Sequence, residues 1–434
     1  MVPLAWLPAV GNPDTAASVR TIAVDVLSRL RDPDAVEGTA RTTPLHGRPR
    51  RLPHSTAQGS CGLALAFGHL DRCLPGEGWD LVAHRHLSRA VDGTASNPVT
   101  TLGLFAGLAG MAFTTSYLAH GQRYRTLLGG IDDSLYARIP RRLPAVGGEG
   151  FAVGTFDLVS GWTGVAAYLH SRPAGRARDR ALRTVLTWLV DLSRDIDGVP
   201  AWHTPHALIA DESMRDRYPT AVANCGLAHG ITGVLAVLAL AHADGPAVAG
   251  HTEAIRRTAA WLRSHELDDT GGGAYPSVVA LGEEAPAPSA ARDAWCYGSP
   301  GVARALWLAG TALGDPDLTR AAVAALRAVL RRPVGRRRID SPGFCHGIAG
   351  LLQITLRFAA DTADEEIGAD ARLLVDQLVG EYQPQAPFAY RSVEPDGTRE
   401  DRIGLLEGAP GIALVLLAAA TPEPPAWDRF FLLS

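Results

Sequence analysis

Runs that are apolar on every helical face alternate along this chain with segments that are apolar on one face only. Residues 234–241 and 302–313 carry almost no charge, which suits helices covered on all sides. Residues 254–267, 318–331 and 371–382 instead space their apolar positions three and four apart, with charge on the opposite face. A G-x-x-G pair opens each all-apolar run. It stands at Gly59–Gly62, Gly107–Gly110, Gly161–Gly164, Gly230–Gly233, Gly298–Gly301, Gly347–Gly350 and Gly408–Gly411. One such pair means little in a chain with 46 glycines, but seven copies, each in the same register with a small apolar helix, define a repeat.

One inner and one outer helix per repeat, seven times over, predicts an all-α fold, an α/α toroid of seven inner and seven outer helices in a single domain over 1–434. The glycines are expected to turn the backbone sharply into each inner helix and to let neighbouring helices approach closely. The seven inner N-termini would gather at one end, where helix dipoles favour anions. Longer spacings before the fourth and fifth copies leave room for small insertions of loop or strand, placed at 197–222 and 268–293.

Composition narrows the function. The 434 residues carry a net charge of -4, which leaves no basic footprint for nucleic acid. The arginines at 331–332 and 336–338 read as a solvated loop or as a contact for an acidic stretch of a peptide partner. Residues 93–122 and 218–243 lack charge but are broken by Gly, Pro, Asn and Thr, so they read as buried helices with loops rather than membrane spans. Residues 1–20 show no signal-peptide pattern, and the protein is expected to be cytoplasmic without an integral membrane segment. Five cysteines in so long a chain do not make a disulfide framework.

The positions just before each first glycine concentrate the chemistry. They are Gln58, Ala106, Ser160, His229, Tyr297, His346 and Glu407, preceded in turn by Ala57, Phe105, Val159, Ala228, Cys296, Cys345 and Leu406. In a toroid these equivalent positions converge. Cys296, Cys345 and His346 then supply two thiolates and an imidazole, a set that suits tetrahedral zinc with its fourth position open, as in catalytic sites. The bland reading makes both cysteines small core residues and His346 a helix cap. Cys61, Cys73 and Cys225 read as core packing, with a Cys225–His229 metal pair as the alternative.

Around these residues the chain resembles the LanC family, the lanthionine cyclases of class I lanthipeptide biosynthesis. The matching motifs are Asn224-Cys-Gly-Leu-Ala-His229-Gly-Ile-Thr-Gly233, Arg292-Asp-Ala-Trp-Cys296-Tyr297-Gly298 and Cys345-His346-Gly347, with a similar close from Trp427 to Leu433. The resemblance implies zinc on Cys296, Cys345 and His346, and functional roles for Asp157, His229, Arg292 and Tyr297. It implies a cyclase that adds cysteine thiols to dehydroalanine or dehydrobutyrine of a dehydrated precursor peptide, leader plus core, forming thioether rings. A dehydratase and a transporter of the same pathway are its implied partners.

For the chemistry, His229 suits the donor of the proton at the α-carbon, with Asp157 to orient it. Arg292 is assigned either to the enolate oxygen or to Asp157, where a purely structural ion pair is the rival, and Tyr297 is a donor to either. Other readings are a glutathione-adding relative and a non-catalytic zinc-binding maturation scaffold. A prenyltransferase β-subunit would use a carboxylate among its zinc ligands. A toroidal glycoside hydrolase would need paired carboxylates, yet Glu407 is the only acidic residue at the repeat position.

Overall fold

The computed structural model describes residues 6–42, 52–268, 273–282, 286–394 and 396–434. Residues 1–5 of the chain start, and 269–272 and 283–285 of the second expected insertion, lie outside the described residues. Helices α1 (Pro13–Ser28) and α2 (Pro33–Thr42) lead into α3 (Ser60–Cys73) and α4 (Trp79–Ser96), then α5 (Leu108–Leu118) and α6 (Arg125–Arg142). The short α7 (Val153–Phe156) precedes α8 (Trp162–Ser171) and α9 (Arg176–Leu192). After α10 (Glu212–Arg217) come α11 (Ile231–Asp244), α12 (His251–Ser264), α13 (Ser299–Leu313) and α14 (Pro316–Arg331). The series ends with α15 (Ile348–Thr362), α16 (Glu365–Gly380) and α17 (Ala409–Ala420). Among the described residues, no helix is long and apolar enough to cross a membrane.

The seven helices that follow the glycine pairs are α3, α5, α8, α11, α13, α15 and α17. Their burial explains their composition. All twelve residues of α17 are buried, as are ten of the fourteen in α11. A charge on any face would have to be desolvated, so Ala, Leu and Val fill them. The amphipathic partners bury one stripe only, as α14 does with Leu318, Ala322, Ala325, Leu326 and Val329. Each Leu, Ile or Val so covered contributes about 1.5–3 kcal/mol relative to exposure.

By contacts the chain divides into two compact units. In the first, α5, α3, α17 and α15 are successive neighbours, with α4 on α3 and α16 on α15. The seventh inner helix, α17, is followed only by a 3-10 turn, and its partner is α1 from the start of the chain. Val10 N donates to Ala419 O at 3.1 Å and Trp6 Nε1 to Ala418 O at 2.9 Å, so the chain start is tied to α17. Sequence order alone would leave that helix without its outer cover.

In the second unit α8, α11 and α13 are neighbours, covered by α9, α12 and α14. Here the expected insertions form a small sheet. Strands β1 (Asp195–Ile196) and β2 (Val199–Pro200) form a short hairpin, and β3 (Thr204–Pro205) pairs with β4 (Ala221–Asn224), which pairs with β5 (Val278–Leu281), all antiparallel. Ile209, Val222 and Val278 make a minor core there, with Met214 and Tyr218 against it.

The glycine pairs stand where the chain turns into each inner helix, and their closest contacts are local. The first glycine is the N-cap of all seven inner helices, but only Gly298, at φ 94°, is left-handed. What the others require is space. A Cβ on Gly62, Gly164, Gly233, Gly301 or Gly411 would stand 2.0–2.5 Å from the carbonyl oxygen six residues earlier. The loop before each helix folds back over its first turn, and a side chain has nowhere to go. The closest approach is therefore of loop to helix within a repeat, and the neighbouring repeat comes next: a Cβ on Gly164 would also stand 2.8 Å from Leu104 Cβ, and one on Gly301 3.0 Å from Leu227 Cβ.

Candidate metal centre

Each inner helix thus begins under a loop that is pinned to it, and that loop carries the residues singled out above. Cys296 and Tyr297 precede α13. Gly298 makes the turn possible, because its φ of 94° disfavours other residues and an added Cβ would lie 1.9 Å from Arg292 O. Behind the turn, Trp295 is fully buried and donates from Nε1 to Phe431 O at 3.1 Å. Cys345 precedes α15, and its backbone N donates to Leu406 O at 2.8 Å. Phe344 beside it is buried edge-on against Trp427, with ring centroids 5.9 Å apart. The C-terminal residues that resemble the family's close thus support the backbone next to both cysteines.

Cys296, Cys345 and His346 each offer one ligand atom, and these atoms all lie within 4.8 Å of one another. Cys296 is buried, while Cys345 and His346 are half-buried. It is the one such grouping of three or more His, Cys, Asp or Glu among the described residues. Forty-nine residues of sequence separate the two thiols, so the repeat register rather than local spacing brings them together. The arrangement is a candidate Cys/Cys/His metal-binding site.

The other cysteines are elsewhere. Burial pushes the Cys225 thiol up to about 12 and the Cys73 thiol up to about 11, and raises Cys61 as well. All three are protonated at neutral pH, which suits packing among apolar neighbours. Among the described residues Cys225 belongs to no group of three or more possible metal ligands, and His229 turns its Nδ1 to a carboxylate.

That carboxylate is Asp157, whose side chain is only 2% exposed. Its Oδ1 accepts from the backbone N–H groups of Ser160 at 2.7 Å and Gly161 at 2.8 Å. Its Oδ2 is 2.6 Å from His229 Nδ1. Asp157 is held by the start of α8 and in turn holds the imidazole, which is 37% exposed. Tyr297 lies alongside, its ring centroid 6.1 Å from that of His229. The His229 loop rests directly on the Cys296 loop, with Ala228 N donating to Cys296 O at 3.2 Å.

Arg292 is placed differently from one of its two expected positions. Its side chain is exposed and makes no hydrogen bond or ion pair among the described residues. Asp157 meets Ser160, Gly161 and His229, and among the described residues it forms no ion pair with Arg292. Arg402 stands at the equivalent place, six residues before Gly408, and shows the contrast. Its guanidinium binds Glu394, Glu400 and Glu407, so the acidic residue at the repeat position is neutralised.

Two residues of the site carried no role in the sequence reading. Asn224, 3% exposed, donates from Nδ2 to Tyr297 Oη at 3.2 Å and accepts from Gly226 N at 2.9 Å. Gly226 is needed because a Cβ there would lie 2.7 Å from Cys296 O and from the Tyr297 ring. Their place in the repeat is a usable signal: Asn224 stands six residues before Gly230, the same offset as Arg292 from Gly298.

With the geometry in hand, comparison with known proteins is informative. The nisin biosynthesis protein NisC of Lactococcus lactis subsp. lactis is 25% identical over 322 residues, 72% of each chain. A solved structure of nisin cyclase matches with a TM-score of 0.77 at 21% identity, covering 97% of this chain and 98% of that one. That likeness speaks for the fold, an α/α toroid of the LanC-like kind. Residues 51–432 match the family described as lanthionine synthetase C-like protein. The chain belongs to the lanthionine synthetase C-like protein family.

Proposed function

We propose that this chain is a zinc-dependent lanthipeptide cyclase, acting as one catalytic domain over 1–434. It adds cysteine thiols to dehydroalanine or dehydrobutyrine within the same precursor peptide and so forms lanthionine or methyllanthionine rings. The observation that carries this reading is the gathering of Cys296, Cys345 and His346 within 4.8 Å, in a chain of this family.

The donor set fits zinc. Ligands of one tetrahedral zinc, bonded at about 2.0–2.3 Å, stand roughly 3.5–3.8 Å apart. Two thiols and an imidazole within 4.8 Å need only small adjustments to reach that spacing. When bound, zinc supplies a Lewis acid that stabilises an incoming thiol as thiolate, against an unperturbed pKa of about 8.5.

The chain's own residues handle the proton and the developing charge. Addition of sulfur to the β-carbon leaves an enolate, and one proton lost from sulfur is matched by one gained at the α-carbon. His229 delivers that proton. An ionised Asp157 accepts only, so Nδ1 bears hydrogen and Nε2 is the atom that exchanges protons with substrate. Arg292 and Tyr297 stabilise the enolate oxygen, since neither is needed by Asp157. Half-exposure of His229 leaves room for a peptide to reach it.

The substrate is the dehydrated precursor, leader plus core, received from a dehydratase and passed on to a transporter in the cytoplasm. Five cysteines in a chain of 434 residues are too few for a disulfide framework, which suits a reducing compartment. The test is reaction of the purified protein with its dehydrated precursor peptide, read by mass spectrometry after thiol alkylation, with parallel metal analysis. Ring closure together with about one zinc per chain is expected. Addition of glutathione without ring closure, or zinc without turnover, would replace this reading by a glutathione-adding enzyme or a scaffold.

A further inference from the structure

Asn224 is buried between the loop that carries His229 and the loop that carries Tyr297, and both ends of its amide have a defined partner. The backbone N–H of Gly226 can only donate, so it fixes the oxygen of the amide on its own side. The nitrogen must then face Tyr297, and Nδ2 donates to the phenolic oxygen at 3.2 Å. Conjugation keeps a phenolic O–H in the plane of its ring, which leaves two directions for the proton. A donor at one of them sends the proton to the other.

We infer that Asn224 is a positioning residue that commits the Tyr297 hydroxyl to donate toward the developing enolate oxygen of the substrate. The inference rests on the cyclase reading and adds to it the polarity of one hydrogen-bond chain, from Gly226 N–H through Asn224 to Tyr297. Glycine at the neighbouring positions leaves room for this chain: a Cβ at Gly226 would strike the Tyr297 ring at 2.7 Å, and one at Gly230 would meet Asn224 Oδ1 at 2.6 Å. The amide orientation itself is set by its two hydrogen-bond partners.

The test is Asn224→Asp in the full-length, metal-loaded protein. Aspartate keeps an oxygen for Gly226 N–H but presents a second acceptor to Tyr297, which turns the phenolic proton away from the substrate. The rate constant kcat for ring closure should fall about 10- to 100-fold, the scale of losing one transition-state donor, with KM changed less than about threefold. In a Tyr297→Phe background the same substitution should cost nothing further. Metal content and melting temperature are measured alongside. If Asn224→Asp does not fold, Asn224→Ala removes the donor without adding charge and runs through the same cycle.

The inference is overturned if kcat stays within twofold of the parent, if KM alone changes, or if the loss persists in full on the Tyr297→Phe background. If the parent protein itself closes no rings, it is the cyclase reading that fails.

Discussion

Asp157 and His229 are 72 residues apart in sequence and 2.6 Å apart in space, with the carboxylate buried and the imidazole half-open to solvent. Because Ser160 and Gly161 occupy the other carboxylate oxygen, the orientation of His229 is set by the first turn of α8. The pairing separates two effects that mutagenesis can distinguish. Asp157→Asn retains an oxygen for the backbone donors but turns an N–H toward His229 Nδ1 and favours the wrong tautomer. Ring closure should slow by about 10²-fold or more with stability nearly unchanged. Asp157→Ala should add a stability loss of about 1–3 kcal/mol from two orphaned N–H groups. A parent-like rate for Asp157→Asn, measured on the dehydrated peptide, would remove this pair from the mechanism.

Metal and proton transfer should separate by mutation. Cys345→Ala is expected to abolish both bound zinc and cyclisation. His229→Asn is expected to keep stoichiometric zinc while slowing ring formation. Elemental analysis of the two purified variants decides, and loss of zinc from His229→Asn would put that histidine among the metal ligands.

Glycine substitutions should follow local space rather than glycine content. Gly298→Ala forces a left-handed residue and a 1.9 Å contact with Arg292 O, so the turn that carries Cys296 and Tyr297 must move. Loss of metal and a large drop in melting temperature are expected. Gly129→Ala lies within α6 with nothing in reach of the new methyl, and should raise stability by about 0.5–1 kcal/mol. Equal destabilisation by the two would refute the loop-over-helix account.

Acid should destabilise the protein through two buried histidines that the catalytic site does not use. Burial, with Arg72 nearby, holds His69 down to about 3, and burial holds His86 down to about 4. Both groups have folded values below the unfolded value of about 6.5. The unfolded chain therefore binds protons first, and stability falls as pH drops from about 6.5 toward 4. The slope is up to about 1.4 kcal/mol per pH unit for each histidine. Chemical denaturation at pH 7.5, 6.5, 5.5 and 4.5 measures it, and His69→Gln should flatten the dependence. A stability that is level across that range would contradict both assignments.

Much of this fold is visible in the chain because the repeat writes the same constraint seven times. Apolar runs without a polar face have to be enclosed, and glycine pairs at their starts mark each helix N-cap. The insertions were also legible, since β3, β4 and β5 lie within or beside the two longer spacings. The grouping of Cys296, Cys345 and His346 was legible because repeat register substitutes for spatial proximity. What stayed hidden was pairwise. The exposure of Arg292, the capture of Glu407 by Arg402, and the amide of Asn224 facing Tyr297 all depend on rotamers and loop paths that hydrophobic periodicity does not encode.

The sequence by itself determined the number of repeats, the helical class and the residue types available for metal and proton chemistry. These follow from patterning and composition, which act locally along the chain. Only the tertiary structure decided that α1 covers α17, that glycine is demanded by a returning loop, and that Asp157 takes His229 rather than Arg292 as its partner. The first and last are settled by groups that meet across tens to hundreds of residues, where the cost of leaving a buried carboxylate unpaired selects one arrangement, and the second by steric exclusion in a loop path of six residues.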